Sequence, residues 1–145
     1  MRLIRQQEHF DCGIALVAML ARCSYADALD VYKGPWHMTR GLRWQRLCRM
    51  LYALTGHRWT TRSLFDASGG PLFCPSSLEA AIPNGWFGFD SPLGVLVYKP
   101  NTKDSHWVGL SNHWVYDPAA VKRQGWADSP LRQWRVVRVI LKSAA

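Results

Sequence analysis

The chain has 145 residues, of which 48% are hydrophobic and 19% charged, with a formal net charge of +8. This length and apolar content predict a single domain, residues 1–145, built around one core. No run of about 18 uncharged apolar residues is present, and acidic residues soon follow Met1. We therefore expect neither a membrane span nor a signal peptide, and we expect the protein in the cytoplasm.

The cysteine content favours reduced thiols. The four cysteines, at positions 12, 23, 48 and 74, are far too sparse for a disulfide-stapled secreted domain. The chain has no Cys-x-x-Cys or His-x3-His spacing, which short turns use to hold tetrahedral zinc. We expect neither a metal nor a cofactor.

The positive charge would attract nucleic acid, anionic lipid or an acidic protein. Arginines recur at every third position through Arg40, Arg43, Arg46 and Arg49, and on a helix they would form a basic stripe. A solvated helix face is the simpler interpretation. Nucleic-acid binding stays open as an alternative, because the eight tryptophans could stack on bases.

The first half of the chain has helical patterns. From Phe10 the run FDCGIALVAMLARC is apolar on all sides, which predicts a helix buried on nearly every face, with Asp11 as its N-cap. A short helix is expected over Tyr25–Tyr32. A third, over Leu42–Leu54, has one apolar stripe.

Shorter elements follow these helices. His57–Arg62 predicts a short strand, and Ser76 with Glu79 forms a capping-box pattern for a short helix. The C-terminal half then changes to β-rich runs: GVLVYK from Gly94, HWVGL, HWVYDP and WRVVRVILK. Helices followed by antiparallel strands predict an α+β fold, with N-terminal helices packed on a C-terminal antiparallel sheet.

Cys12 has the position of a reactive thiol. It follows the expected helix cap, where unpaired backbone N–H groups and the helix dipole favour a thiolate. Gly13 next to it leaves room for a substrate carbonyl and lets backbone approach closely. From position alone, a buried and inert cysteine is an equal alternative.

The HWVGL and HWVYDP runs predict a β-hairpin. A two-residue loop at Ser111 and Asn112 would place His106 directly opposite Asp117, with Cβ atoms about 4.5 to 5.5 Å apart. A carboxylate there would accept the imidazole N–H and fix its tautomer. A base oriented in this way is what a cysteine nucleophile needs.

Gln6 lies six residues before Cys12. Its side-chain N–H could donate to the oxyanion of a tetrahedral intermediate, although glutamines are mostly ordinary surface residues. Together these residues resemble the C39-like cysteine peptidases, papain-related enzymes known for trimming the leader peptides of bacteriocin precursors. The resemblance covers about residues 3–140, and its matching motifs lie at the two ends of this range. Near the N-terminus they are Q-x5-C-G at Gln6, Cys12 and Gly13, with Asp11 before the cysteine. Near the C-terminus they are H-W-V at His106 and Y-D-P at Tyr116–Pro118.

The resemblance implies a papain-like fold and a cysteine peptidase from a bacterium or phage that acts on a peptide or protein. It implies Cys12 as nucleophile, His106 as base, Asp117 as orienter and Gln6 in the oxyanion hole, with Gln7 as the substitute if the register slips. The interval from His106 to Asp117 looks shorter than is usual in the family, which predicts a tighter hairpin. No transporter segment follows, so coupling to peptide export is not expected.

Papain-like sites also carry out acyl transfer on side chains or protein modifiers, as deamidases, transglutaminase-like enzymes and deubiquitinase-like enzymes do. These activities remain alternatives to peptide hydrolysis, as does a non-catalytic module that binds nucleic acid or protein. The residues alone do not separate them, and they do not give the oligomeric state.

Overall fold

The computed structural model describes residues 1–8, 10–32, 41–63, 77–81 and 92–143. These residues contain the helices α1 (Cys12–Ala21), α2 (Tyr25–Val31), α3 (Trp44–Thr55) and α4 (Leu78–Ala81) and the short 3₁₀ helix η1 (Trp126–Asp128). They also contain the strands β1 (Trp59–Ser63), β2 (Leu93–Tyr98), β3 (Ser105–Ser111), β4 (Trp114–Tyr116), β5 (Gln124–Gly125) and β6 (Arg135–Lys142).

The six described strands form one antiparallel sheet in the order β1-β6-β2-β3-β4-β5. Helices α1, α2 and α3 all precede the first strand along the chain, so the predicted mixed α+β class is confirmed. The early strand β1 lies at the sheet edge, where it pairs with the C-terminal β6. This pairing joins the two halves of the chain.

Helix α1 is buried from Cys12 to Leu20, as its all-round apolar sequence predicts. The prediction that Asp11 lies at the N-cap of this helix is confirmed, but its side chain makes no capping hydrogen bond. The backbone of Asp11, with φ −104° and ψ 20°, is not extended as a capping residue normally is. Its carboxylate instead turns back toward residues 7 and 8.

Within the described residues, no single helix has the length and apolar composition to cross a membrane. Only α1 and α2 taken together meet such a criterion, and they are bent by 109° at the break between them.

Apolar side chains cover both faces of the sheet because strand residues alternate in direction. On one face, Trp107 of β3 and Tyr116 of β4 pack with α1, α2 and α3. On the other face, Val108 and Val115 belong to a second core that includes Leu78 of α4 and Leu131. The β3–β4 hairpin therefore has α1, α2 and α3 on one side and α4 on the other.

The hairpin register differs from the predicted one. The turn consists of Asn112 and His113, with φ of 51° and 66°, and Gly109 pairs with Tyr116. Two residues at positive φ are what a tight hairpin turn needs, and Asn and His tolerate that region better than Ser111 does. The pairing is shifted by two residues, which preserves the face of every side chain.

Helix α3 packs its apolar stripe on the core, with Leu47, Met50 and Leu51 buried. Of the described arginines of the predicted basic stripe, Arg43 and Arg49 are exposed. Arg46 lies over the ring of Tyr32, 4.3 Å from its centroid. The other stripe member, Arg40, and the predicted cap Ser76 lie outside the described residues.

Candidate active site

Cys12 begins α1 and lies against the edge of β3. Its side chain is buried, with the residue only 6% exposed, and its Sγ accepts the backbone N–H of Trp107 at 3.5 Å. The pairing between β3 and β4 stops at Gly109 and Tyr116, so Trp107 lies beyond the end of that ladder. In a longer β4, the Trp107 N–H would have bonded to that strand. Here the Cys12 sulfur accepts it instead, and this holds the thiol beside the hairpin.

His106, the neighbour of Trp107, contacts Asp117 and lies close to Cys12. Its Nε2 lies 2.5 Å from Asp117 Oδ1, and the Cys12 side chain is near enough to the imidazole to help raise its pKa. Because Nε2 is used by the carboxylate, Nδ1 is the ring nitrogen left for the thiol. The structure thus brings Cys12, His106 and Asp117 close together.

His106 and Asp117 meet diagonally across the hairpin rather than directly opposite each other. The two-residue shift in register leaves both side chains on the same face. A diagonal neighbour is about 7 to 8 Å away, which a histidine side chain can span. The predicted pair therefore forms even though the predicted pairing is wrong.

The segment after β4 holds the Asp117 carboxylate in place. Asp117 Oδ1 also accepts the backbone N–H of Ala119 at 2.9 Å, and the Asp117 carbonyl accepts the N–H of Ala120 at 2.9 Å. The Asp117 side chain is 8% exposed and that of His106 is 14% exposed. Water has little access to this pair, which strengthens the hydrogen bond between them.

The surroundings of His106 favour its protonated form. Burial opposes the charge, but hydrogen bonds and charge interactions with Asp117 and Cys12 outweigh it and raise the pKa of His106 from 6.5 to about 9. At neutral pH the His106 imidazole is therefore protonated. Such an ion is suited to donate a proton to a leaving group.

The stability of the fold should depend on this titration. Because the folded-state pKa of about 9 exceeds the ordinary 6.5, the contribution of protonated His106 is complete below pH 6.5 and is lost as the pH rises through 9. We expect the free energy of unfolding of the wild type, minus that of His106→Gln, to fall across this window. Urea unfolding at a series of pH values measures it. In a Cys12→Ala background, this stability difference should fall by a smaller amount over the same pH range. A stability difference between wild type and His106→Gln that does not change with pH would contradict the prediction.

Gln6 is half-buried, and its backbone is hydrogen-bonded to the segment that follows Asp117. Its N–H donates to the Pro118 carbonyl at 2.9 Å, and its side-chain Nε2 donates to the Glu8 carbonyl at 3.0 Å. The side chain of Gln7 is exposed. Of the two glutamines, Gln6 is therefore the one joined directly to the residue after Asp117.

Two residues of the site had no assigned role in the sequence, Trp107 and Leu42. The Trp107 indole N–H donates to the Leu42 carbonyl at 2.9 Å, which ties the segment before α3 to β3. A Cβ added to Gly13 would lie 2.7 Å from the Leu42 Cβ and 3.4 Å from Trp107 Cδ1. The side chain missing at Gly13 thus makes room for Leu42, and not for a substrate as the sequence suggested.

The other described thiols have surroundings unlike that of Cys12. Burial and the charge of Asp27 raise the pKa of Cys23. Burial raises the pKa of Cys48, against the opposing effect of Arg138. All three described cysteines are unpaired, and no group of His, Cys, Asp and Glu in the described parts of the chain could hold a metal ion.

The sequence matches no protein-family model, and a comparison with curated proteins also gave no match.

Proposed function

We propose that this chain is a cysteine peptidase of papain-like architecture, related to the C39-like peptidases. One observation carries the proposal: a thiol at a helix start, an imidazole and a carboxylate meet from opposite ends of the chain. A nucleophile-bearing helix packed on an antiparallel sheet that carries the base and acid supports the architecture. The unpaired state of the described cysteines is compatible with the cytoplasm as the setting.

In the proposed reaction, the Cys12 thiolate attacks the carbonyl carbon of a peptide bond, and the Gln6 amide donates to the oxyanion. As the intermediate collapses the C–N bond breaks, and protonated His106 gives its proton to the leaving amine. Water then attacks the thioester carbon, with His106 accepting a proton from it. The C–S bond breaks, the acid product leaves, and the Cys12 thiolate and protonated His106 are restored. Asp117 orients the imidazole throughout.

Alkylation tests whether Cys12 is chemically activated. Cys12 is 6% exposed whereas Cys23 and Cys48 are half-buried, so accessibility alone would make Cys12 the slowest to react. The proposal predicts the reverse order, because only Cys12 has an imidazolium partner among these three thiols. We expect native Cys12 to react with iodoacetamide at least about tenfold faster than the other two, since the thiolate is the reactive form. Peptide mass spectrometry at short reaction times measures the three rates separately.

The matched variant for this test is His106→Gln, which can keep a donor to Asp117 but has no titrating nitrogen. It should slow alkylation of Cys12 and leave Cys23 and Cys48 unchanged. A general loosening of the fold would instead speed all three reactions. Equal rates at the three thiols in the native wild-type protein would remove the chemical basis of the proposal.

Product analysis separates peptide hydrolysis from the other acyl transfers. Incubating a cell extract with the wild type or with Cys12→Ala, and comparing new protein N-termini, should give cleavage sites in the wild-type sample only. Deamidation would instead shift side-chain masses by about one dalton with no new N-terminus, as expected for acyl transfer at a side-chain amide. That outcome would retain Cys12, His106 and Asp117 as the catalytic triad, but the bond cleaved would be a side-chain amide and not a peptide bond.

A further inference from the structure

The residue before the nucleophile, Asp11, has a buried carboxylate with several donors. Its Oδ2 accepts the backbone N–H groups of Gln7 and Glu8, each at 3.0 Å, and also the hydroxyl of Tyr25. Asp11 is only 2% exposed. Burying a carboxylate is costly unless donors satisfy it, so these contacts determine where the segment before Cys12 lies.

The choice of partners distinguishes this aspartate from a helix cap. At its position Asp11 could accept from the first turn of α1, but that bond is not made. Its acceptor oxygen is used by the residues directly after Gln6 instead. The carboxylate therefore links the start of α1, which carries the thiol, to the segment that carries the glutamine.

Tyr25 connects this link to α2. Burial raises the pKa of Tyr25, and the hydrogen bond to Asp11 and the charges of Asp11 and Glu8 raise it further. The phenol thus keeps its proton and donates at any pH at which the protein would work. It donates to the same carboxylate oxygen, Oδ2, as the two backbone N–H groups.

Glu8 completes the connection to Gln6. Its N–H donates to Asp11, and its carbonyl accepts the side-chain amide of Gln6 at 3.0 Å. The amide that would serve as oxyanion donor therefore rests on a residue that Asp11 holds. A shift of this segment by about 1 Å could lower acyl transfer by up to about a hundredfold.

We propose that Asp11, supported by Tyr25, is a positioning residue that holds the Gln6 amide in place for the oxyanion. This inference rests on the proposed function and adds to it two residues that touch neither the thiol nor the imidazole in their described contacts. It predicts that loss of Asp11 harms reactions that form an oxyanion and spares those that do not.

Two probes make this distinction. Acylation of Cys12 by p-nitrophenyl acetate passes through a tetrahedral oxyanion, whereas alkylation by iodoacetamide does not. We expect Gln6→Ala and Asp11→Ala each to lower the acylation rate about 10- to 100-fold, within the range for loss or displacement of an oxyanion donor. Alkylation of Cys12 should change by less than about threefold, because its thiolate and His106 are untouched.

A double variant tests whether Asp11 acts through Gln6. If it does, Gln6→Ala with Asp11→Ala should acylate no more slowly than Gln6→Ala alone, because coupled residues are not additive. Asp11→Asn should recover most of the rate, since its amide oxygen can still accept the two backbone N–H groups. The acylation rate of Tyr25→Phe should lie between those of Asp11→Asn and Asp11→Ala.

The matched controls are Asp30→Asn on the exposed side of α2 and Tyr52→Phe, whose side chain is 55% exposed. Neither should change either rate. Additive losses in the double variant, or equal losses of acylation and alkylation in Asp11→Ala, would overturn the inference while leaving the peptidase proposal intact. If the wild type is acylated no faster than Cys12→Ala, the proposed function fails, and the role of Asp11 with it.

Discussion

Asp117→Ala is expected to lower acyl transfer at Cys12 about a thousandfold, whereas Asp117→Asn should lower it only about tenfold. Loss of one member of a catalytic triad costs several orders of magnitude in related sites. The difference between the two variants comes from Asp117 Oδ1, which accepts from both His106 and Ala119. An asparagine oxygen at the same point can accept both donors and keep the imidazole in the same tautomer, whereas alanine leaves neither partner satisfied.

The asparagine variant also isolates the charge of Asp117. Without the carboxylate, the pKa of His106 should fall from about 9, so the alkaline limit of the acylation rate should move to lower pH. Stopped-flow acylation by p-nitrophenyl acetate between pH 5 and 10 measures both effects. The control is Asp104→Ala at an exposed position outside the hairpin contacts. Equal losses in the two Asp117 variants would mean that charge, and not orientation, is what the carboxylate supplies.

Most of the fold follows from local patterns in the sequence. The continuous apolar run from Cys12 to Leu20 could only be a fully buried helix, and it is the centre of the larger core. The strands β2, β3, β4 and β6 were recognisable because they lie in apolar runs that contain β-branched and aromatic residues. The two-residue β5 and the helix η1 were not predicted, since each is too short to show a period.

The site was harder to predict where it depends on contacts distant in sequence. The face shared by His106 and Asp117 followed from strand alternation, which an even shift in register does not disturb. Asp11 carried a cap signal, yet its carboxylate turned to backbone donors and to Tyr25, fourteen positions later in sequence. The hydrogen bond from Trp107 to Leu42 could not be predicted, because no local sequence pattern indicates that the segment before α3 contacts β3.

Gly13→Ala is expected to destabilise the protein by about 3 kcal/mol, near the upper end of the range for overpacking a core. An added Cβ would lie 2.7 Å from the Cβ of Leu42, an atom that cannot move without its backbone. Displacing Leu42 would also disturb its carbonyl, which accepts the Trp107 indole, and thereby the strand residue whose N–H donates to Cys12. The variant should therefore lose Cys12 reactivity as well as stability.

Two other glycines provide the matched comparison for Gly13→Ala. At Gly41 an added Cβ meets nothing within 4 Å, so Gly41→Ala should be neutral or slightly stabilising. At Gly94 the added Cβ would lie 2.7 Å from Leu16 Cδ2, the flexible end of a side chain, so the loss should be intermediate, about 1 kcal/mol. Urea unfolding gives the order of stability of the three variants. Iodoacetamide labelling shows whether the reactivity of Cys12 falls in the same order. If Gly13→Ala were as stable as Gly41→Ala, the close packing of α1 on Leu42, and with it the placement of the thiol against β3, would be wrong.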